Sequence, residues 1–187
     1  MCIRDRKTSF SFSVSISNVT TNDKNTVISS SLSTLPVIIN KAAYCNLKSG
    51  IPSNSQLISN RAGWIINVEE GVEGAPNNLI DGKTGTDVAL NNKGFWFTVD
   101  LGEAKVLTGI KTNHWANAYA PREVEILQSE NGTTWKSLSS LAISGGTQNI
   151  TFISPITTRY LKYQIITIST NGRTDVTEFN VYEPKSE

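Results

Sequence analysis

At 187 residues and a formal net charge of +1, the chain is long enough for one domain and part of another, and it carries no basic block or arginine stripe suited to a nucleic-acid backbone. Its 38% hydrophobic and 18% charged residues allow a packed core and argue against wholesale disorder. Two cysteines, Cys2 and Cys45, are too few for a disulfide framework or a metal quartet, and no apolar run approaches the ~18 residues of a membrane-spanning helix.

The first six residues, Met1 to Arg6, have no apolar centre and are not a signal peptide; they read as a remnant foreign to the native chain, whose own start lies elsewhere. Ser9–Ser17 is SFSFSVSIS, in which Phe10, Phe12, Val14 and Ile16 alternate with serines, the pattern of a half-buried strand. A polar turn around Asn22–Asn25 leads to two more strand-like runs, Thr26–Leu32 and Leu35–Asn40. Lys41–Asn60 then turns to Ser, Asn, Gly and Pro, which reads as a linker. Three strands do not easily close a core. Residues 1–58 are therefore expected to be the truncated tail of a preceding β domain plus a linker, and residues 59–187 a second domain.

That second unit is organised around Asn77–Gly102. Asp81-Gly82 makes a sharp turn, followed at once by Thr84, Gly85, Thr86 and Asp87; then Phe95, Phe97, Val99 and Leu101 alternate with Trp96, Thr98 and Asp100. An oxygen-rich loop feeding an amphipathic strand is one way to hold a hard cation, and an ordinary Asp-Gly turn reads the same residues without one. Further strands are expected at Val106–Thr112, Glu123–Ser129, Trp135–Leu138, Asn149–Ser154, Tyr160–Ile168 and Thr177–Tyr182, with Asn131-Gly132 closing a tight hairpin. No window carries a helical period, so the pattern predicts an all-β sandwich or barrel.

Five stretches, NLIDGKTGT, FWFTVDLGEAKVLTGI, PREVEILQSENGTTW, TTRYLKYQII and TEFNVY, follow one another in order across residues 59–187. In this they resemble the discoidin domain, also called the coagulation factor five/eight C-type domain, and especially its bacterial galactose-binding-like carbohydrate-binding modules. The resemblance implies an eight-stranded jelly-roll β-sandwich with binding loops at one end. One departure stands out: the position two after the loop threonine, usually Trp in the family, is Val88 here, preceded by Asp87.

The resemblance also implies one structural Ca²⁺. Asp81 supplies a side-chain oxygen, Asn78 and Lys83 main-chain carbonyls, Thr86 a carbonyl and its hydroxyl, Thr177 a carbonyl, and Glu178 a carboxylate. Lys83 is compatible with that role because only its carbonyl is used, its ammonium turning to water. The competing reading has Asp81 capping its own turn and Glu178 on the surface. The ion's role is stability, through closing a loop onto the last strand.

A sugar offers one face of C–H bonds and an edge of hydroxyls, so its site needs an aromatic platform beside hydrogen-bonding groups. Asn113–Arg122 gathers the only His, a Trp, a Tyr and an Arg within ten residues. Trp115 or Tyr119 is the expected stacking surface, with His114, Asn117 and Arg122 bonding hydroxyls; the alternative packs Trp115 under the loop and leaves Arg122 opening a strand. Asn92 and Arg173, on neighbouring loops, are further hydroxyl partners. Trp64, Trp96 and Trp135 are assigned to packing. A single His without a matched nucleophile gives no catalytic triad, and no phosphate-cradling glycine motif occurs. The expectation is a non-catalytic, monomeric carbohydrate-binding module of a larger secreted or surface-exposed bacterial protein, tethering that protein to glycans. Two alternatives stay open: a protein-interaction or adhesion module, and a scaffolding domain of a glycan-degrading enzyme.

Overall fold

Period-two alternation governs most of the chain from Ile65 onward, and the computed structural model turns it into strands. It describes residues 45–48 and 50–186; the strands expected at Ser9–Ser17, Thr26–Leu32 and Leu35–Asn40 lie outside the described residues. The described residues make one compact unit. The described strands are β1 (Cys45–Lys48), β2 (Ser55–Leu57), β3 (Ile65–Val68), β4 (Val88–Asn91), β5 (Trp96–Asn113), β6 (Glu123–Ser129), β7 (Lys136–Ala142), β8 (Thr147–Thr167), β9 (Arg173–Val176) and β10 (Glu178–Pro184), with one 3-10 turn at Pro76–Leu79 and no α-helix among the described residues.

The expected linker is corrected here. Both β1 and β2 are part of the sandwich: β1 pairs with β8, Cys45 opposite Phe152, and β2 pairs with β10, Leu57 opposite Tyr182. Short strands flanked by Ser, Asn and Pro carry too few residues to display an alternation, so composition alone reads them as loop.

The two longest strands make the architecture. The first part of β5 pairs with β3 and with the last part of β8, Phe97 facing both Val68 and Tyr163; its second part pairs with β10 and with the first part of β8, Ile110 facing Val181 and Ile150. Each long strand therefore serves both layers of a sandwich. One layer holds β3, β5, β8, β6 and β7; the other holds β2, β10, β5, β8 and β1. The corner in β5 falls between Asp100 and Lys105, where the register shifts and Gly102 adopts a φ of 81° that side chains disfavour. Pro155 lies at a second register shift, between Leu107 and Gly109, in the stretch of β8 that skips its pairing with β5, where a missing N–H costs nothing. Val106–Thr112 and Asn149–Ser154, expected as separate strands, are thus halves of continuous ones.

Alternation also fixes the core. Phe97 and Tyr163 stack at 5.2 Å, and Phe179 from the facing layer meets both edge-on at 5.1 and 6.1 Å. Around them Leu79, Val88, Val99, Leu107, Ile110, Val124, Ile126, Ile150, Leu161 and Val181 are wholly buried. Trp64 is buried as expected. Trp96 is not a core residue: it lies half-buried on the outer face with the Lys162 ammonium 4.9 Å from its ring centroid. Trp135 is likewise half-buried.

Candidate functional site

A second, two-stranded sheet organises one end of the sandwich. In it β4 pairs antiparallel with β9, Asn91 opposite Arg173 and Val88 opposite Val176. These strands take in parts of the loops expected around Asn92 and Arg173, because four residues are too few for a visible period. This pairing draws together the connections around Asn92, His114–Arg122, Ser144–Gly146 and Ile168–Gly172. The Asn92 N–H donates to the Gly172 carbonyl at 2.6 Å, that of Asn171 to Ala118 at 3.3 Å, that of His114 to Gly146 at 2.8 Å, and that of Arg122 to Thr167 at 2.9 Å.

The predicted ligand residues fall into two groups. Trp115 is 60% exposed, the most open large apolar side chain among the described residues. Its backbone N–H donates to Asp175 Oδ1 at 3.2 Å, so the main chain beneath the indole is pinned while the ring faces water. Asn117 is exposed and its Oδ1 accepts from the Gly146 N–H at 2.5 Å; Tyr119 is half-buried. Arg122 reaches Thr170 Oγ1 at 3.1 Å, tying two loops together. Asn92, exposed, holds a φ of 56°, a left-handed conformation that Asn tolerates.

His114 is the exception and corrects the expectation of a hydroxyl-bonding histidine. Its side chain is wholly buried. Nδ1 lies 2.6 Å from the Asp175 carbonyl, an acceptor only, so Nδ1 carries the proton and Nε2 accepts from Thr112 Oγ1 at 3.3 Å. Burial pushes its pKa down to about 4, against the pull of the Asp175 carbonyl. A neutral ring with both nitrogens occupied braces the loop.

Arg173 sits at the centre of an acidic cluster that sequence reading missed. Its guanidinium lies 2.8 Å from Asp87 Oδ2, 3.5 Å from Asp175 Oδ2 and 3.8 Å from Glu73 Oε2. Asp175 is wholly buried, and desolvation raises its carboxyl to about 6 despite the Trp115 N–H. Asn91 Nδ2 donates to Glu73 Oε1 at 3.1 Å. The signal that could have found this cluster is Asp87, the carboxylate immediately before Val88, the position that departs from the family pattern.

The predicted cation ligands are grouped on the adjoining loop. Asp81 Oδ1 accepts from the Lys83 N–H and Oδ2 from the Thr86 hydroxyl, both at 2.8 Å. Partial desolvation opposes the Asp81 charge, but these bonds outweigh it and hold the carboxyl below its ordinary range. Asp81 and Glu178 lie close enough to shift each other's ionisation. Glu178 is buried, with Oε1 lacking any hydrogen-bond partner and Oε2 3.6 Å from Arg61 Nη1. Burial raises its carboxyl, with the Gly82 N–H and Arg61 pulling the other way. Asn78, on the 3-10 turn, donates to the Asp87 carbonyl at 2.8 Å, Lys83 is exposed, and Thr177 is buried with Oγ1 unpartnered. No three acidic, His or Cys side chains converge as a cage among the described residues, so a cation held here depends on main-chain carbonyls. Two carboxyls, one with an orphaned buried oxygen, amid hydroxyls and carbonyls form an all-oxygen donor set that fits a hard divalent cation. Arg61 also missed notice; its Nη1 donates to the Ile80 carbonyl at 2.9 Å, which holds the Asp-Gly turn against β10.

The F5/8 type C domain profile matches residues 59–179. The chain belongs to the F5/8 type C domain family. No curated protein matches the sequence. Among solved structures, this F5/8 type C domain is similar to the family 32 carbohydrate-binding module of Clostridium perfringens NanJ in complex with galactose, at 22% identity and a TM-score of 0.59, covering 69% of this chain and 99% of that one. It is also similar to an F5/8 type C domain from Bacteroides fragilis (19%, 0.61, covering 72% and 100%) and to the family 32 module of AlyQ in complex with 4,5-unsaturated mannuronic acid (21%, 0.54, covering 63% and 92%). At these identities the likeness establishes the fold of the F5/8 type C domain, an all-β jelly-roll sandwich, as the resemblance carried by its five sequence stretches implied. The pairing of β1 and β2 adds residues before Ser59 to that sandwich.

Proposed function

We propose that this domain binds carbohydrate without transforming it, with the end formed by Trp115, Asn117, Tyr119, Arg173 and Asn92 as its site. The observation that carries the reading is Trp115: an indole 60% exposed on a main chain held from below by a buried carboxylate. Exposing a Trp on a hydrogen-bonded loop is costly unless something covers it, and the C–H face of a sugar ring suits it. Polar side chains around it provide hydroxyl partners. Arg122 contributes by joining the two loops, and His114 by bracing them. A galactose-like sugar is the first candidate, since a solved neighbour holds galactose. The remaining exposed apolar residues, Leu57, Ile65, Val106, Ile153 and Ile166, lie on strands and do not gather at these loop tips, which favours a glycan over a protein partner.

The loop of Asp81, with Asn78, Lys83, Thr86, Thr177 and Glu178, is proposed to hold one structural Ca²⁺, which supplies positive charge to two facing carboxyls. Its effect reaches the sugar end through Asp87, the next residue after Thr86, whose carboxylate grips Arg173. As one module of a secreted or surface-exposed protein, the domain acts as a tether that raises its partner domains' concentration on a glycan. A glycan array probed with the parent and with Trp115→Ala tests the reading. The parent is expected to bind galactose-containing glycans and the variant to lose that binding while keeping its unfolding midpoint. A well-folded parent that binds no glycan sinks it.

A further inference from the structure

The chain contains two Asn-Gly pairs, Asn131-Gly132 and Asn171-Gly172, and their turns are built differently. An Asn side chain is attacked by the backbone nitrogen of the next residue, and Gly leaves that nitrogen unshielded. At the first pair, Asn131 Oδ1 accepts from the Thr133 N–H at 3.0 Å, the Thr133 hydroxyl at 3.0 Å, the Thr134 N–H at 2.9 Å and the Ser129 hydroxyl at 3.1 Å, while the Gly132 N–H donates to Ser129 Oγ at 2.9 Å. Both reacting groups are held. Those bonds also draw electron density from the amide carbon, but attack requires the amide to rotate and the Gly132 nitrogen to swing, which breaks most of them.

At the second pair the side chain is free and the nitrogen is only weakly held. The Asn171 side chain is exposed and makes no hydrogen bond among the described residues. The Gly172 N–H has only a long contact of 3.4 Å with the Ser169 carbonyl. We propose that Asn171 is a site of spontaneous deamidation and that Asn131 is protected from it. The Gly172 nitrogen gives its proton to hydroxide and bonds to Asn171 Cγ. The Cγ–Nδ2 bond breaks, Nδ2 takes a proton back from the water just formed, and ammonia leaves, regenerating hydroxide and closing a five-membered imide. Water then adds to one of the two imide carbonyls, leaving an aspartate or an isoaspartate at position 171. No oxidant or reductant is needed.

The product sits inside the loop that frames the candidate sugar site. It places a new carboxylate between Thr170, which accepts from Arg122, and Arg173, which grips Asp87. Isoaspartate also lengthens the backbone by one carbon next to the Gly172 carbonyl that accepts from Asn92. The loop thus carries a chemical clock. Its consequence for binding rests on the carbohydrate reading; the modification does not.

The test ages the full chain at mildly alkaline pH and follows two tryptic peptides by mass spectrometry, Glu123–Lys136 with Asn131 and Tyr163–Arg173 with Asn171. Deamidation of Asn171 is expected to run roughly tenfold faster or more, because several hydrogen bonds must break at Asn131 before attack. Equal rates, a faster Asn131, or no conversion at Asn171 overturn the proposal. In parallel, aged parent and aged Asn171→Gln chains are compared for binding to the glycan that the fresh parent selects. Loss in the parent alone supports the clock, and full retention removes it while leaving the modification standing. A parent that binds no glycan even when fresh refutes the carbohydrate reading, and the mass readout still decides the chemistry.

Discussion

His114 makes a prediction whose sign is fixed by its burial. In the unfolded chain its pKa is near the ordinary 6.5; in the fold it falls to about 4, because the buried ring has no room for a charge and both nitrogens serve the neutral form. Between these values the unfolded state binds a proton that the folded state refuses, so stability falls as pH falls through that window. From pH 6.5 to about 5 the loss is ~2 kcal/mol, at about 1.4 kcal/mol for each pH unit. Asp175, the neighbour whose Oδ1 lies 3.8 Å from Nδ1, works the other way. Its folded pKa of about 6 lies above the unfolded 3.8, so the fold takes up a proton below pH 6 and regains ~1.4 kcal/mol by about pH 5. Arg173 and Asp87 also face Asp175 and are common to every variant that keeps them. The parent should therefore lose less than 1 kcal/mol net from this pair over the window, a small remainder of two opposed effects. His114→Gln removes one side of the balance. Whatever its stability at neutral pH, its urea-unfolding free energy should rise on acidification relative to the parent by ~2 kcal/mol. Tryptophan fluorescence at a series of pH values measures both curves. Parallel curves for parent and variant refute the reasoning, since they mean that His114 titrates alike in folded and unfolded chains.

Phe97→Ala should cost ~3–5 kcal/mol in urea unfolding, because it empties the middle of a three-ring stack spanning both layers; a loss under ~1 kcal/mol would show that the stack does not anchor the core. Gly94→Ala places a Cβ 2.4 Å from the Ile165 carbonyl oxygen and should lower stability by ~1–3 kcal/mol, with an unchanged midpoint speaking against that close approach. Added Ca²⁺ should raise the thermal midpoint of the parent and leave that of Glu178→Gln nearly unmoved, as calorimetry with and without a chelator can check. Trp115→Ala should change the folding midpoint little, its ring being mostly exposed, and a large drop there would mean the indole supports the fold.

Long alternations were readable and short segments were not. The runs Phe95–Leu101 and Glu123–Ser129 display their buried faces directly, and both are strands. Four-residue strands such as β4 and β9 offer no period, yet their pairing is what brings Arg173 to Asp87. The aromatic and polar richness of Asn113–Arg122 singled out this loop as the candidate, but composition does not tell an exposed Trp115 from a buried His114 beside it. That distinction comes from Asp175, sixty-one positions away from His114 in the chain and joined to both by hydrogen bonds. Likewise, nothing local in Arg61 indicates that it faces Glu178.

Strand β10 gives the domain a mechanical direction. It starts at Glu178, paired with Asn113 where the loop of Trp115 begins, and ends at Pro184, paired with Ser55 at the other end of the sheet. A pull applied between the loop of Trp115 and Pro184 therefore runs lengthwise along this strand. Under such a pull the backbone bonds to β5 and β2 are loaded side by side in shear and must fail together, whereas a pull across the strands would open them one at a time. Pulled along β10, the domain therefore resists far better than when pulled across it.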